Sequence, residues 1–168
     1  AVPPELSGWV RRVLQLQGAI MVEPFYQNAL DFGMEFASDG SGGITYLGLS
    51  IFTANDGRYA GNVLAPESCK RSILSELLSE KTMEAARDSL TRHLSKLYAN
   101  AYKGPFGVDM MAVKADGPGH CLLHPCVEIN LRRTMGHVAL YASKALNVAS
   151  PSGMMRIDTD KDCKLRLI

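Results

Sequence analysis

The sequence predicts an α+β fold, a mainly antiparallel sheet packed by helices, and three observations carry that prediction. Two apolar runs with strand patterning, about 31–37 and 44–53, flank the turn cluster Ser38-Asp-Gly-Ser-Gly-Gly43, in which several residues are free to take φ > 0. From Ser79 or Thr82 to about Tyr102, Met83, Ala86, Leu90, Leu94, Leu97 and Ala101 recur three or four apart, as on one face of a long helix. Strand patterning then returns in Gly104-Pro-Phe-Gly-Val-Asp109-Met-Met and, after a polar break, in Val127-Glu128-Ile-Asn130-Leu-Arg132. With 168 residues, 46% of them hydrophobic, the chain can bury one core of ordinary domain size, so a single domain over residues 1–168 is expected.

In chain order, the apolar spacing from Trp9 onward predicts a helix over about 8–17, and Ala19-Ile-Met-Val-Glu23-Pro-Phe-Tyr26 reads as a strand. In the next strand Phe32, Met34 and Phe36 alternate. Gly48, inside the third strand, marks a bulge, a close approach or simply a weak point. The polar loop Asn55-Asp-Gly-Arg58-Tyr59-Ala-Gly61-Asn62 is a connecting turn, or else presents Arg58 to an anion. Glu84 and Asp88 early in the long helix, with Arg92, Lys96 and Lys103 late, suit its macrodipole, and Gly104-Pro105 is expected to end it. A last helix is expected from Met135 to Leu146, capped by Thr134 and with Gly136 near its start, followed by a solvated tail with a final hairpin turn expected at Asp158-Thr-Asp-Lys-Asp.

Composition excludes several classes. Lys and Arg number 18 against 17 Asp and Glu, with no long run of either sign, so neither nucleic acid nor membrane is indicated as a partner. Cys69, Cys121, Cys126 and Cys163 form no paired CxxC framework. Cys121, His124 and Cys126 cluster, yet a structural zinc needs four converging ligands, so free thiols in a reducing cytosol are the default. No apolar run approaches the ~20 residues of a membrane span, and no charged-then-apolar leader opens the chain. The expectation is a soluble cytoplasmic protein.

The polar residues of the two late strands are the candidate site. Glu128, Asn130 and Arg132 alternate, so they project from one face, and Asp109 closes a neighbouring apolar run. Mg²⁺ prefers hard oxygen ligands and usually takes one or two carboxylates together with phosphate oxygens, while a planar guanidinium suits phosphate. Asp109 and Glu128 can supply carboxylates, Asn130 an amide oxygen, and Arg132 the guanidinium. The same alternation is also what a solvated outer face produces, with Glu128 and Arg132 as a surface pair.

The pattern Gly107-Val108-Asp109, a turn, then Glu128-Ile129-Asn130-Leu131-Arg132 resembles the metal-binding end of the ATP-grasp superfamily, in which an acidic residue precedes a Glu-x-Asn-x-Arg strand. The family usually has Pro or a small residue where this chain has Leu131. The resemblance implies the C-terminal subdomain of an ATP-grasp fold, with Asp109, Glu128 and Asn130 holding Mg²⁺ (or Mn²⁺) on the ATP phosphates and Arg132 facing the γ-phosphate as the catalytic residue. It further implies that Ala19 to Tyr26 is the adenine-reading linker, with Glu23 near the adenine amino group and Asp31 near the ribose hydroxyls. Pro24 has no N–H, so a backbone donor to the base would come from a neighbour such as Tyr26.

Enzymes of this kind let a small-molecule carboxylate attack the γ-phosphate, and an amine or thiol then displaces the acylphosphate. The chain opens Ala1-Val-Pro-Pro-Glu without an initiator Met, and nothing in it corresponds to the family's opening domain or lysine-bearing lobe. By resemblance it is expected to be a C-terminal fragment of a longer ATP-dependent ligase, inactive without the missing N-terminal part. The alternative is a non-catalytic ATP-grasp-like binding or scaffold domain.

Overall fold

Alternation of large apolar residues with small or polar ones from Asn28 to Asp39 gives the sheet one of its interior strands. The computed structural model describes residues 3–55, 58–115, 121–148, 153–159 and 165–167. They form α1 (Pro4–Gln17), β1 (Asn28–Asp39), β2 (Ile44–Asn55), β3 (Arg58–Leu64), α2 (Glu67–Ser75), α3 (Glu80–Tyr98), β4 (Lys103–Lys114), β5 (Cys121–Asn130), α4 (Met135–Ala145), β6 (Gly153–Thr159) and β7 (Leu165–Leu167). The strands make a seven-stranded sheet in the order β5-β4-β1-β2-β3-β6-β7, with every pair antiparallel, so the α+β, antiparallel expectation holds.

The two faces of this sheet differ. Phe32, Met34 and Phe36 of β1, Leu49 and Ile51 of β2, and Phe106, Val108 and Met110 of β4 are buried on one face with Leu74 of α2 and Met83, Leu94 and Tyr98 of α3. Phe36 stacks on Phe106 at 5.3 Å between centroids, and Tyr98 meets Phe106 edge-on at 5.3 Å, both favourable aromatic geometries. Helix α4 packs on the opposite face, across β2 and β3. It touches β1 less extensively.

Local chemistry explains the boundaries. Asp39 Oδ1 accepts from the amides of Ser41 at 2.7 Å and Gly43 at 2.9 Å, an Asx-type turn, while Gly40 and Gly42 take φ of 83° and 101°. At Gly48 two of the expected readings hold together. Its φ of 148° accompanies a bulge in the β1–β2 pairing, and a Cβ there would lie 3.0 Å from Leu140 and 3.2 Å from Glu67. Ser79 caps α3 by accepting from the Thr82 amide at 3.1 Å.

Several expectations are corrected. Residues 19–26 form no strand: among the described residues this segment lies outside the sheet, with Phe25 97% exposed, and pairing is reached only where the Gln27 carbonyl accepts from Lys114 N at 2.9 Å. Pro24 deprives the segment of a ladder donor, and its apolar residues lack the alternation that would fix a buried face. Helix α3 stops at Tyr98 rather than at Gly104-Pro105, because Asn100 takes the left-handed conformation at φ 62°; Gly104 and Pro105 lie inside β4. Asp109 therefore sits in the middle of β4 and not at its end. Leu97 is exposed, and Tyr98 takes its place in the core. Helix α2 was not anticipated. The side chain of Arg58, the Asp56-Gly57 turn, Cys163 and most of the acidic tail fall outside the described residues.

Candidate functional site

Register places the polar residues of β5, β4 and β1 side by side. Asp109 stands opposite Gly33 of β1 on one side and Glu128 of β5 on the other, and Asn130 stands opposite Gly107. The β4–β5 ladder is irregular just before Glu128: Asp109 pairs with Glu128 but Met111 pairs with His124, so residues 125–127 bulge opposite Met110. Pro125, which cannot donate to a ladder, sits in that bulge. Bulges of this kind re-aim neighbouring side chains. Arg132 lies just past the end of β5, where its backbone N–H donates to the Asn130 carbonyl at 2.8 Å.

The result is a cleft of about 330 Å³ whose wall includes Glu35, Asp109, Glu128, Asn130, Arg132 and Gly136. Within it Asn130 Nδ2 donates to Asp109 Oδ2 at 2.9 Å, and Arg132 Nη2 donates to Asn130 Oδ1 at 2.9 Å. Burial, then the negative charges of Glu35 and Glu128, push the Asp109 carboxyl up to about 6, against the pull of the Asn130 hydrogen bond and the Arg132 charge. A carboxylate disfavoured by its own neighbours in this way is relieved by a cation, and the hard-oxygen donors beside it are those a divalent ion such as Mg²⁺ takes. The donor set fits such an ion. Among the described residues no cluster of three or more His, Cys, Asp and Glu side chains could hold a metal, so an ion here would need oxygen ligands from a substrate or water.

Sequence reasoning did not single out Glu35, the most enclosed charge of the cleft at 1% exposure. Its Oε1 accepts from Ser50 Oγ at 2.8 Å, its Oε2 accepts from Thr134 Oγ1 at 2.7 Å, and His137 Nδ1 lies 2.8 Å from Oε2. Backbone space is reserved for it: a Cβ on Gly107 would come within 2.7 Å of Oε2, and one on Gly136 would overlap Oε1. The carboxylate thus lies under the first turn of α4, where the helix dipole favours negative charge by roughly 0.3–2 kcal/mol. Thr134 caps α4 as expected, in a capping box whose return partner is the His137 ring. The available signal was a lone acidic residue between Met34 and Phe36, on the face opposite three buried apolar residues, with glycines at matching positions elsewhere.

The remaining predicted residues lie apart from this cleft. Asp31 is on β1 and accepts from Asn28 Nδ2 at 2.7 Å. Glu23 is exposed on the segment before β1. Tyr26 lies against the His124 ring at 5.7 Å between centroids. Cys121 and Cys126 are free, and no described cluster joins them to His124 as a metal site.

Neither a protein-family model nor a curated protein matches the chain by sequence. Solved structures do match. A biotin carboxylase from Campylobacter jejuni, solved as a β,γ-ATP complex, superposes with a TM-score of 0.52 at 15% identity over 95% of this chain and 33% of its own. A putative ATP-grasp superfamily protein from Archaeoglobus fulgidus gives a TM-score of 0.49 at 18% identity, over 86% of this chain and 46% of its own. The chain has the ATP-grasp fold, in the α+β, antiparallel part of it, and spans about a third of the length of the biotin carboxylase. Among the described residues no helix is long and apolar enough to cross a membrane.

Proposed function

We propose that this chain forms the ATP- and Mg²⁺-binding part of an ATP-dependent carboxylate ligase of the carboxylate–amine or carboxylate–thiol kind. The observation that carries the proposal is Asp109, a carboxyl raised to about 6 by burial and by Glu35 and Glu128, in a cleft shared with Asn130 and Arg132. Asp109 and Glu128 would hold the metal, with Asn130 as the neutral third donor. For that, the amide would exchange its present bonds to Asp109 and Arg132. When bound, the ion supplies neutralisation of polyphosphate charge, the dominant requirement of phosphoryl transfer.

The protein's own part is positioning. Arg132, exposed and using one Nη2 donor on Asn130, keeps further donors for the γ-phosphate or the acylphosphate formed when a substrate carboxylate attacks it. Glu35 anchors the Thr134–His137 turn against the sheet and so fixes where Arg132 can reach. Glu23, Tyr26 and Asp31 are assigned to the adenine and ribose side, supported by their place before and on β1, the strand beside Asp109. The reading calls for further protein to close over the nucleotide.

One observation favours a second reading, a non-catalytic ATP-grasp-like binding or scaffold domain: the Asn130 amide is already satisfied at both ends by Asp109 and Arg132. Calorimetric titration of a non-hydrolysable ATP analogue with Mg²⁺ separates the two. The ligase reading expects Mg²⁺-dependent binding that is lost in Glu128→Ala; binding indifferent to both Mg²⁺ and Glu128 would sink it.

A further inference from the structure

A second cleft, of about 690 Å³, lies at the other end of α4 from the Asp109 site, and its chemistry is of opposite sign. Lys70, Arg71, Arg87 and Lys144 line it against a single carboxylate, Glu67. That carboxylate is already engaged. Its oxygens accept from Tyr46 Oη at 2.6 Å and Leu49 N at 2.9 Å, and Arg71 Nε lies 3.7 Å away.

The floor of this cleft is unusual. Lys70 is 1% exposed, and among the described residues its Nζ has one hydrogen-bond partner, the Leu49 carbonyl at 2.8 Å, and no carboxylate within ion-pair distance. An ammonium carries three donors, so one acceptor leaves two of them unmet by hydrogen bonds among the described residues. Burial accordingly holds its pKa below the ordinary lysine range, with Glu67 and Glu35 drawing it back up. Beside it Ser143, also buried, has an Oγ with no hydrogen-bond partner among the described residues. Lys144 is exposed at the rim, and Arg87 lies over the Tyr46 ring at 5.8 Å.

A purely structural role accounts for part of this. Lys144 suits the C-terminal end of α4, and Lys70 straps α2 to β2. Neither accounts for a partnerless hydroxyl and a buried ammonium with a single hydrogen-bond acceptor among the described residues, both lining the same opening, with cations at its rim. Leu140, Val148, Ala65 and Pro66 supply an apolar wall, too extensive for a bare inorganic ion.

We propose that the cleft between α2, β2 and the C-terminal half of α4 binds a small organic anion, an apolar body carrying a phosphate or carboxylate head, with Arg87 and Lys144 contacting the head and Lys70 supplying positive potential beneath it. The site is separate from the Asp109 cleft and does not depend on the ligase reading. A low-dielectric floor holding one sign of charge focuses the field on the opening above it.

Phenyl phosphate and benzoate, each titrated to about 10 mM and followed by amide NMR of the 168-residue chain, provide the test, since even millimolar affinity saturates there. The expected result is saturable shifts at Gly48, Ser143 and Lys144 for at least one probe, with Asp109 and Glu128 unmoved; the stronger probe identifies the head group. Lys144→Glu, an exposed change that leaves the core untouched, should weaken binding about tenfold or more by reversing a rim charge. Lys70→Met should weaken it too if the variant folds. No saturable shift at these amides with either probe, or binding unchanged in Lys144→Glu, would overturn the proposal.

Discussion

The two faces of β1 use the same backbone for opposite ends. On one, Phe32, Met34 and Phe36 are buried among aromatic and aliphatic partners. On the other, the buried Glu35 and Gly33 border Asp109, whose Oδ1 would lie 3.4 Å from a Cβ on Gly33. The apolar face stabilises the sheet by removing hydrocarbon from water; the polar face gathers carboxylates that repel one another. The contrast teaches that the site is held together by the other side of its own strands, and that its electrostatic discomfort is available to a ligand.

The largest effect should come from the apolar face. Phe36→Ala removes a fully buried ring stacked on Phe106 and is expected to cost about 3–5 kcal/mol in urea unfolding. Next comes the anchor of the polar face. Glu35→Gln keeps the shape but loses the charge that accepts from Ser50 Oγ and Thr134 Oγ1, and should cost about 1.5–3 kcal/mol. A loss as small as that of a surface substitution would mean the turn before α4 is held by other contacts.

Asp109→Asn should act in the reverse direction, raising stability at pH 7 in metal-free buffer by about 1–3 kcal/mol, since each unit of pKa shift is worth about 1.36 kcal/mol. Because the folded state holds this proton more tightly than the unfolded state, its contribution is complete below the unfolded carboxyl value of about 4 and is lost as pH rises through about 6. The variant should flatten that part of the pH–stability profile; a profile identical to the parent's would contradict the assigned cause. Smallest of all, Leu97→Ser on the exposed side of α3 should change stability by no more than about 0.5 kcal/mol by the same urea method, against the expectation from spacing that Leu97 belongs to the core.

The parts legible in the sequence were those where local pattern and tertiary environment agree. Phe32, Met34 and Phe36 alternate and are buried; Met83 and Leu94 are spaced on one face of α3 and meet the sheet. Glu128 and Asn130 alternate and do line one cleft with Asp109 and Arg132. The failures have physical causes. Gly104 and Pro105 carry helix-stopping chemistry, but Asn100 takes the left-handed turn first. Residues 19–26 have the composition of a strand, yet composition does not supply a partner with unpaired hydrogen bonds. Glu35 was invisible because its meaning lies in Gly107, Thr134, Gly136 and His137, about 70 to 100 positions away, which only the fold brings to it.

The central claim, that the Asp109 carboxylate cluster is a divalent-cation site, is tested most directly by titrating Mn²⁺ into the 168-residue chain near pH 7 and mapping paramagnetic broadening of backbone amides. The account predicts broadening centred on Asp109, Glu128 and Asn130, displaced by excess Mg²⁺ and abolished in Asp109→Asn. Broadening centred elsewhere, or persisting at this site in that variant, would contradict it.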